Sequence, residues 1–494
     1  MNKELSYSRP RETAQRLGDL AKDRHRFLGK KILLTGEPDI LRTTNGRDAF
    51  LFSLRLLVRL CPNVSVALLE GQEALLTEAR EVAVQVAFGK AVEFRVSVNP
   101  AEFDAILSVG TRVDPTLPWT TINSNGWLAR VSSGDVTLSE ECSLANPVGA
   151  LAAAALGAGE VFKRLIALVR ERGALLNGLT FSVLALAANS NDPGPALRDT
   201  IESDLLVAGG GAIGNGIIAL LSRLPITGKI DIVDREKFGE ENLGTCLLIG
   251  PEHITRPKAA VLEAMLKVAG KNAQGFYGSF ADYAASLKGK YPAVVLNGLD
   301  NIDVRHEVQR TLWPDLIVDG AIGDFGCQVS SHPWAKNVAC LICLFRPPVR
   351  SAESVAAEAS GLAEDRVRHA DEPVSNADVE SAPEATKDFL RARVGKPICS
   401  VVSEAVAQKI SQDTRARGFE PSVPFVAAFS ACMVVAETVS YLSGWPSALD
   451  TRFQFDFLQG PDRGEQYPQE RRADCLCQRR KNIDRLRATH GLGG

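Results

Sequence analysis

The sequence predicts an α/β protein built from two doubly wound halves, and three observations predict it. The stretch from Ser203 to Asp234 reads as a buried strand, a glycine-rich turn, a helix and a second strand. Strands alternate with helices along most of the 494 residues, the pattern of a mostly parallel sheet. Segments of the first half also recur in order in the second. ILLTGEPD (Ile32–Asp39) parallels LLVAGGGA, FDAILSVG (Phe103–Gly110) parallels PAVVLNGLD (Pro292–Asp300), and NPVGALAAAALGAGEVFKRL parallels PSVPFVAAFSACMVVAETVSYL. The likeness is weak, and two halves of one fold class would share part of it by physics alone.

Taken in order, residues 1–28 read as a polar N-terminal arm, helical after Arg11. Residues 29–190 hold the first half. Its expected elements are a strand from Lys31, a helix Asp48–Leu60, a strand Val64–Leu69, a helix Glu73–Phe88, and strands Val92–Val98 and Phe103–Val109. Thr120–Val131 follows as strand with a turn at Asn125–Gly126, then a small-residue helix Asn146–Arg170. Residues 200–345 open the second half with a strand Leu205–Ala208, a helix Ile217–Leu224, a strand Lys229–Val233 ending in Asp234, and a strand Val294–Leu296. Residues 346–412 form an Ala/Glu/Asp/Arg-rich insert with little apolar periodicity, read as a helical or mobile stretch that ends in a helix Ser400–Ile410. Residues 413–494 return to the second half with a strand Arg452–Leu458, a charged loop and a basic tail.

Composition excludes several classes. At 45% hydrophobic and 23% charged, the chain suits a soluble globular protein of two or three domains. A net charge of −3 gives no ground for nucleic-acid or anionic-membrane binding. The start, MNKELSYSRPRE, lacks an apolar signal core, and apolar stretches such as Val148–Gly159 are too short to span a bilayer, so a cytoplasmic location is expected. Ten cysteines in a reducing compartment point to metal ligands, nucleophiles or buried thiols rather than disulfides.

The glycine turn carries the chemistry. Gly209, Gly211 and Gly214 have G-x-G-x-x-G spacing between strand and helix, which lets a phosphate approach the backbone and the helix N-terminus. Asp234 falls 20 positions after Gly214, where a ribose-binding carboxylate belongs. Lys258 follows Pro257 at an expected helix start and can neutralise a phosphate; alone it reads as a solvated lysine. Asp300 lies at the carboxyl end of a strand. A carboxylate beside polyphosphate calls for a cation, which implies Mg²⁺, unless Asp300 merely caps the next helix. The first half has Glu37 and Pro38 where the second has its glycines, and reads as a copy that has lost its nucleotide site.

The cysteines sort into groups. Cys340-x-x-Cys343 and Cys475-x-Cys477 supply four soft ligands for a tetrahedral Zn²⁺, or are free thiols. Cys399 stands directly after Pro397 at a helix N-terminus, which stabilises a thiolate; Cys246 and Cys327 compete with it as nucleophile. Cys61, Cys142 and Cys432 read as core.

VAGGGAIGNGI, DIVDREKFGEENLGT, RPKA, GLDNIDVR and DGAIGDFGCQV, in this order, resemble the adenylation domain of ubiquitin-activating (E1) and ThiF/MoeB/HesA-type enzymes over about residues 201–460. The resemblance implies two Rossmann-like domains in pseudo-dimeric arrangement, one inactive and one active. It implies that Gly211, Asp234, Asn242, Lys258 and Asp300 hold Mg·ATP. It implies adenylation of the C-terminal glycine of a ubiquitin-like protein, thioester formation on Cys399 within the insert, and transfer to an E2-like protein. It also supports the zinc site. The family's usual arginine three residues after Asn242 is Thr245 here. Tyr7-Ser8-Arg9-Pro10 is similar to an N-terminal family segment that supplies an arginine to the partner domain, so Arg9 is a candidate catalytic residue. Three alternatives remain: a ThiF/MoeB-type enzyme that activates a sulfur carrier and stops at the adenylate, an NAD-binding oxidoreductase, and a non-catalytic scaffold. Monomer and homodimer are both left open.

Overall fold

The computed structural model describes residues 7–68, 71–287, 289–323, 325–346, 352–402, 404–405 and 423–492. The chain forms two compact units, residues 1–345 with 421–494, and residues 346–420.

The first unit contains two eight-stranded sheets of the same plan. The arm forms helix α1 (Ser8–Arg16). The first sheet is made of β1 (Ile32–Gly36), β2 (Val64–Ala67), β3 (Glu93–Arg95), β4 (Ala105–Val109), β5 (Trp119–Asn125), β6 (Leu128–Ser132), β7 (Leu179–Ser182) and β8 (Ala187–Ala188), in the order β3-β2-β1-β4-β5-β6-β7-β8. The second is made of β9 (Leu205–Ala208), β10 (Lys229–Asp234), β11 (Asn272–Tyr277), β12 (Val294–Asn297), β13 (Leu316–Gly323), β14 (Gly326–Pro333), β15 (Arg452–Asp456) and β16 (Glu465–Tyr467), in the order β11-β10-β9-β12-β13-β14-β15-β16. In both, five strands run parallel and the last three are antiparallel. Apolar runs such as Ala105–Val109 and Leu205–Ala208 are buried throughout, as central parallel strands covered on both faces must be.

Crossover helices follow from local signals. Helix α2 (Thr44–Leu60) starts where the Thr43 side chain accepts from Gly46 N. Helix α3 is Glu73–Val86. Helix α4 (Pro147–Leu165) has Asn146 as its side-chain cap and proline at its start. It ends five residues before the expected Arg170, where Ala167 takes a φ of +48°. Helix α5 (Ala212–Leu221) begins five residues before the expected Ile217. Gly214 and Gly216 argue against helix by propensity, but packing demands them: a Cβ on Gly214 would stand 2.0 Å from Gly209 O, and one on Gly216 2.6 Å from Ala431 Cβ. Helix α6 is Lys258–Val268 and α7 is Ile302–Leu312. Helix α8 (Pro424–Ser443) is long and apolar enough to cross a membrane, yet its apolar window is 83% buried inside the protein. Helix α9 is Arg480–Thr489.

The two halves share one hydrophobic core. Helix α4 packs on α8, and Phe162 meets both Phe325 and Phe425 at 6.1 and 5.7 Å between ring centroids. Arg59, at the end of α2, is fully buried and donates to Cys246 O (2.9 Å) and Ile249 O (2.8 Å) of the second half. Arg172 pairs with Asp456 across the same junction at 2.8 Å.

The second unit is helical: Ala352–Ser360, Glu364–Val367, Asn376–Ser381, Glu384–Arg391, and residues 398–402 and 404–405. It has a small core of its own, with Leu362, Val374, Val379, Leu390, Ile398 and Val401. Arg366 ties its loops by binding Asp378 (Nε to Oδ1, 2.8 Å) and Glu372. Residues 403 and 406–410 of the expected helix Ser400–Ile410 lie outside the described residues.

Candidate active site

Strand β9 ends in the glycine turn. Gly209 has a φ of +91°, which favours glycine, and donates to Val233 O. Gly211 is the N-cap of α5, and nothing lies within 4 Å of where its Cβ would stand, so the helix start is an open cradle of N–H groups. Asn215, fully buried, secures the turn: its Nδ2 donates to Gly210 O and Gly211 O, both at 3.0 Å. Sequence reasoning passes over Asn215, although a polar residue in the apolar run IGNGIIALL is a legible signal.

Asp234 closes over this turn. One carboxylate oxygen accepts from Gly210 N at 2.6 Å and the other from Glu236 N at 2.7 Å. Burial raises its pKa, opposed by the Lys258 charge and by these two N–H donors. Lys258 is 6% exposed, and its Nζ binds Glu236 at 2.6 Å. Burial disfavours its charge, but Asp234 and Glu236 outweigh burial and raise its pKa, so the ammonium persists through neutral pH. Glu236, an exposed counter-ion missed by the sequence reading, is free to yield Lys258 to a stronger anion.

Asp300 stands beside the turn at the carboxyl end of β12. Gly298 donates to Ala208 O at 2.9 Å, and Leu299 lies against Gly209. Helix α7 is capped by Asn301, whose Oδ1 accepts from Asp303 N and Val304 N. Asp300 is therefore not the cap, and its exposed carboxylate is a hard oxygen donor that suits Mg²⁺.

Asn242 is turned inward: its Oδ1 accepts from Gly239 N at 2.9 Å, and its carbonyl accepts from Cys246 N. It shapes the turn Glu240–Gly244 on which α1 packs. Thr245 is buried and brings no cation. The arm brings one. Tyr7 is buried, with its hydroxyl on Val58 O at 3.1 Å and its ring against Phe88, and two residues on, Arg9 lies within the fields of Cys246, Glu241, Glu12 and Asp300. Burial pulls the Arg9 pKa down to about 10, which leaves it charged.

The equivalent place in the first half is closed. Glu37 accepts from Thr111 N (2.9 Å), Arg112 N (2.8 Å) and Thr111 Oγ1 (3.0 Å), and its carboxylate fills the space next to Gly110.

The ThiF family profile matches residues 189–478. The chain belongs to the ThiF family. It is thus an E1-like, ATP-dependent adenylating enzyme. It is also 24% identical over 467 residues to the uncharacterised protein y4jF of Sinorhizobium fredii, covering 90% of this chain and 88% of the relative. Solved structures of E. coli MccB are similar at 12–13% identity. The complex with MccA-N7isoASN and the complex with ATP each match at a TM-score of 0.36, over 56% of this chain and 67% of theirs.

The ThiF-family chain gathers its paired cysteines. Cys340, Cys343, Cys475 and Cys477 are buried, with all four sulfurs within 4.8 Å of one another. The separations 340–343, 340–475 and 343–477 are 3.7, 3.7 and 3.5 Å. Four Zn–S bonds of ~2.3 Å in a tetrahedron require sulfurs about 3.8 Å apart, so the cluster fits that ion. The short Cys475-x-Cys477 spacing works because Leu476–Gln478 is a 3₁₀ turn.

The other cysteines separate by access. Cys246 and Cys327 are 0% and 1% exposed, and burial pushes both thiols up. Cys399 is the exposed cysteine among the described residues, in the first turn of the helix that starts at residue 398. Cys61 and Cys432 are core as expected, but Cys142 is half-buried. It lies in an irregular segment held by side chains, Asn123 on Ser139 O and Arg130 on Glu141 O.

From Gly323, at the carboxyl end of β13, an open groove of about 460 Å³ runs across β14 to β16. Gly326, Gln328, Gln454, Glu465 and Tyr467 line it.

Proposed function

We propose that this ThiF-family enzyme adenylates the C-terminal glycine of a ubiquitin-like protein and transfers it as a thioester. One observation carries this reading: the open glycine turn, Lys258, Asp300 and Arg9 converge at the carboxyl edge of the second sheet, while Glu37 closes the first-half copy. The N-terminus of α5 and Lys258 would bind the ATP phosphates, and Asp234 the ribose. Asp300 would hold Mg²⁺, which neutralises phosphate charge when bound. Arg9, supplied in cis by the arm, takes the role left empty by Thr245. The groove beyond Gly323 suits an extended tail of small residues. The tail carboxylate attacks the α-phosphorus and pyrophosphate leaves, with catalysis coming from position and charge neutralisation. The Cys399 thiolate then attacks the acyl carbon and AMP leaves, and an E2-like cysteine accepts the acyl group by exchange. Zinc on the four cysteines is structural, and the enzyme works in the cytoplasm.

The test is ATP–pyrophosphate exchange with the carrier protein. Asp300→Ala should lower exchange by ~10²-fold or more, as loss of one charge-stabilising contact does. Cys399→Ala should keep exchange and lose the DTT-sensitive adduct. Intact exchange in Asp300→Ala sinks the metal assignment, and a surviving adduct in Cys399→Ala moves the nucleophile elsewhere.

A further inference from the structure

Beneath the Asp300 loop lies a buried charge pair that the nucleotide chemistry does not use. Arg305, on α7, is 4% exposed. Its Nε donates to Leu299 O at 2.8 Å, and its Nη2 donates to the same carbonyl and to Gly320 O at 3.1 Å. The counter-charge is Asp319 on β13, 0% exposed, with Oδ1 3.5 Å from Arg305 Nε. Asn297, its register partner on β12, donates to the same oxygen. The second Asp319 oxygen and Asn297 Oδ1 have no hydrogen-bond partner among the described residues.

Burying a guanidinium is costly and is offset here by a nearby carboxylate and by carbonyl acceptors. Asp319 supplies the charge, and the donors go to carbonyls flanking the site. Leu299 immediately precedes Asp300, and Gly320 lies on the strand that leads to the groove. Arg305 also covers the ring of Phe345 at 4.3 Å, and His306 Nε2 donates to Phe345 O at 2.6 Å. Phe345 is the last residue of the first unit before the helical insert.

We propose that Asp319 and Arg305 are positioning residues: the pair fixes the Leu299 carbonyl and thereby the carboxylate of Asp300 for the metal–nucleotide complex. This rests on the assignment of Asp300 above. The consequence is specific. Loss of the pair should weaken binding of ATP with Mg²⁺ and leave binding of ATP without metal unchanged, because the glycine turn and Lys258 are held by other contacts.

The test compares Asp319→Asn, Arg305→Met and the double variant Arg305→Met/Asp319→Leu. Each single variant leaves one group buried without its partner and should melt earlier. The double variant removes both charges and should recover the melting temperature. Calorimetric titration then reads ATP affinity with and without Mg²⁺. The expected result is ~10-fold or greater weakening with Mg²⁺ in all three variants, the restabilised double variant included, and no change without it. Wild-type Mg·ATP affinity in the double variant assigns the pair to stability alone and overturns the proposal, as does equal weakening with and without metal. The readout does not depend on turnover. If the wild type binds Mg·ATP but shows no pyrophosphate exchange, adenylation of the carrier fails while the positioning claim is still decided by affinity.

Discussion

Asp319 holds a negative charge where no solvent reaches. Burial, only partly offset by Arg305 and Asn297, pushes its pKa from 3.8 up to about 6. A carboxyl group with a raised folded pKa contributes stability below the unfolded value and loses it as pH rises through the folded one. The ionised form at neutral pH therefore costs about 3 kcal/mol relative to an unshifted group. Titrating wild type and Arg305→Met/Asp319→Leu together should show the wild type losing ground between about pH 4 and pH 6, and equal slopes across that window would remove the electrostatic account. Lys258 behaves differently, since its charge is reinforced by Asp234 and Glu236. Lys258→Met should reduce ATP affinity about 10- to 100-fold, the worth of a charge-assisted contact. At this scale the sequence is informative where spacing restricts the reading, as with the glycine turn and the two cysteine pairs, which the fold brings together. Asn215, Glu236 and Arg305 are less legible, because their roles depend on which backbone carbonyl or ammonium happens to face them.

Helix α5 shows how an element can oppose its own propensity. Two glycines in its first turns argue for a loop, and Gly214 and Gly216 survive because carbonyl and methyl neighbours leave no room for a Cβ. Gly214→Ala must separate the helix start from the turn by more than a side-chain adjustment. It should cost at least ~2 kcal/mol in unfolding free energy, in the range of overpacked sites, and abolish ATP binding by calorimetry. The paired cysteines join the turn that precedes α9 to the short helical turn that follows β14, through residues separated by more than 130 positions. A strong chelator should release one equivalent of zinc, lower the melting temperature and loosen the C-terminal segment to proteolysis, and no metal release would leave the cluster as thiols. In the insert, the core residues Leu362, Val374, Val379, Leu390 and Ile398 fall at uneven intervals over short helices, so no single period reveals them in the sequence.

At the scale of the molecule, repetition is the organising fact. The strand order of one sheet is that of the other, direction for direction, which the paired sequence segments foreshadow. The junction is less readable: Arg59 looks like an ordinary surface arginine at a helix end, yet it is buried against carbonyls of the other half. Because α4, α8 and their phenylalanines belong to one core, residues 200–494 expressed alone should fail to unfold cooperatively. A sharp calorimetric transition from that fragment would show the halves to be independent.

The carboxylate of Glu37 can be viewed as a tethered ligand. It holds the donors of Thr111 and Arg112 in the loop after β4 at high effective concentration, and it cannot diffuse away. A chain with two copies of the architecture should therefore bind a single ATP, which calorimetric stoichiometry would read. On the function proposed above, the duplicated molecule would acquire a direction, with a single end at which a carrier is loaded.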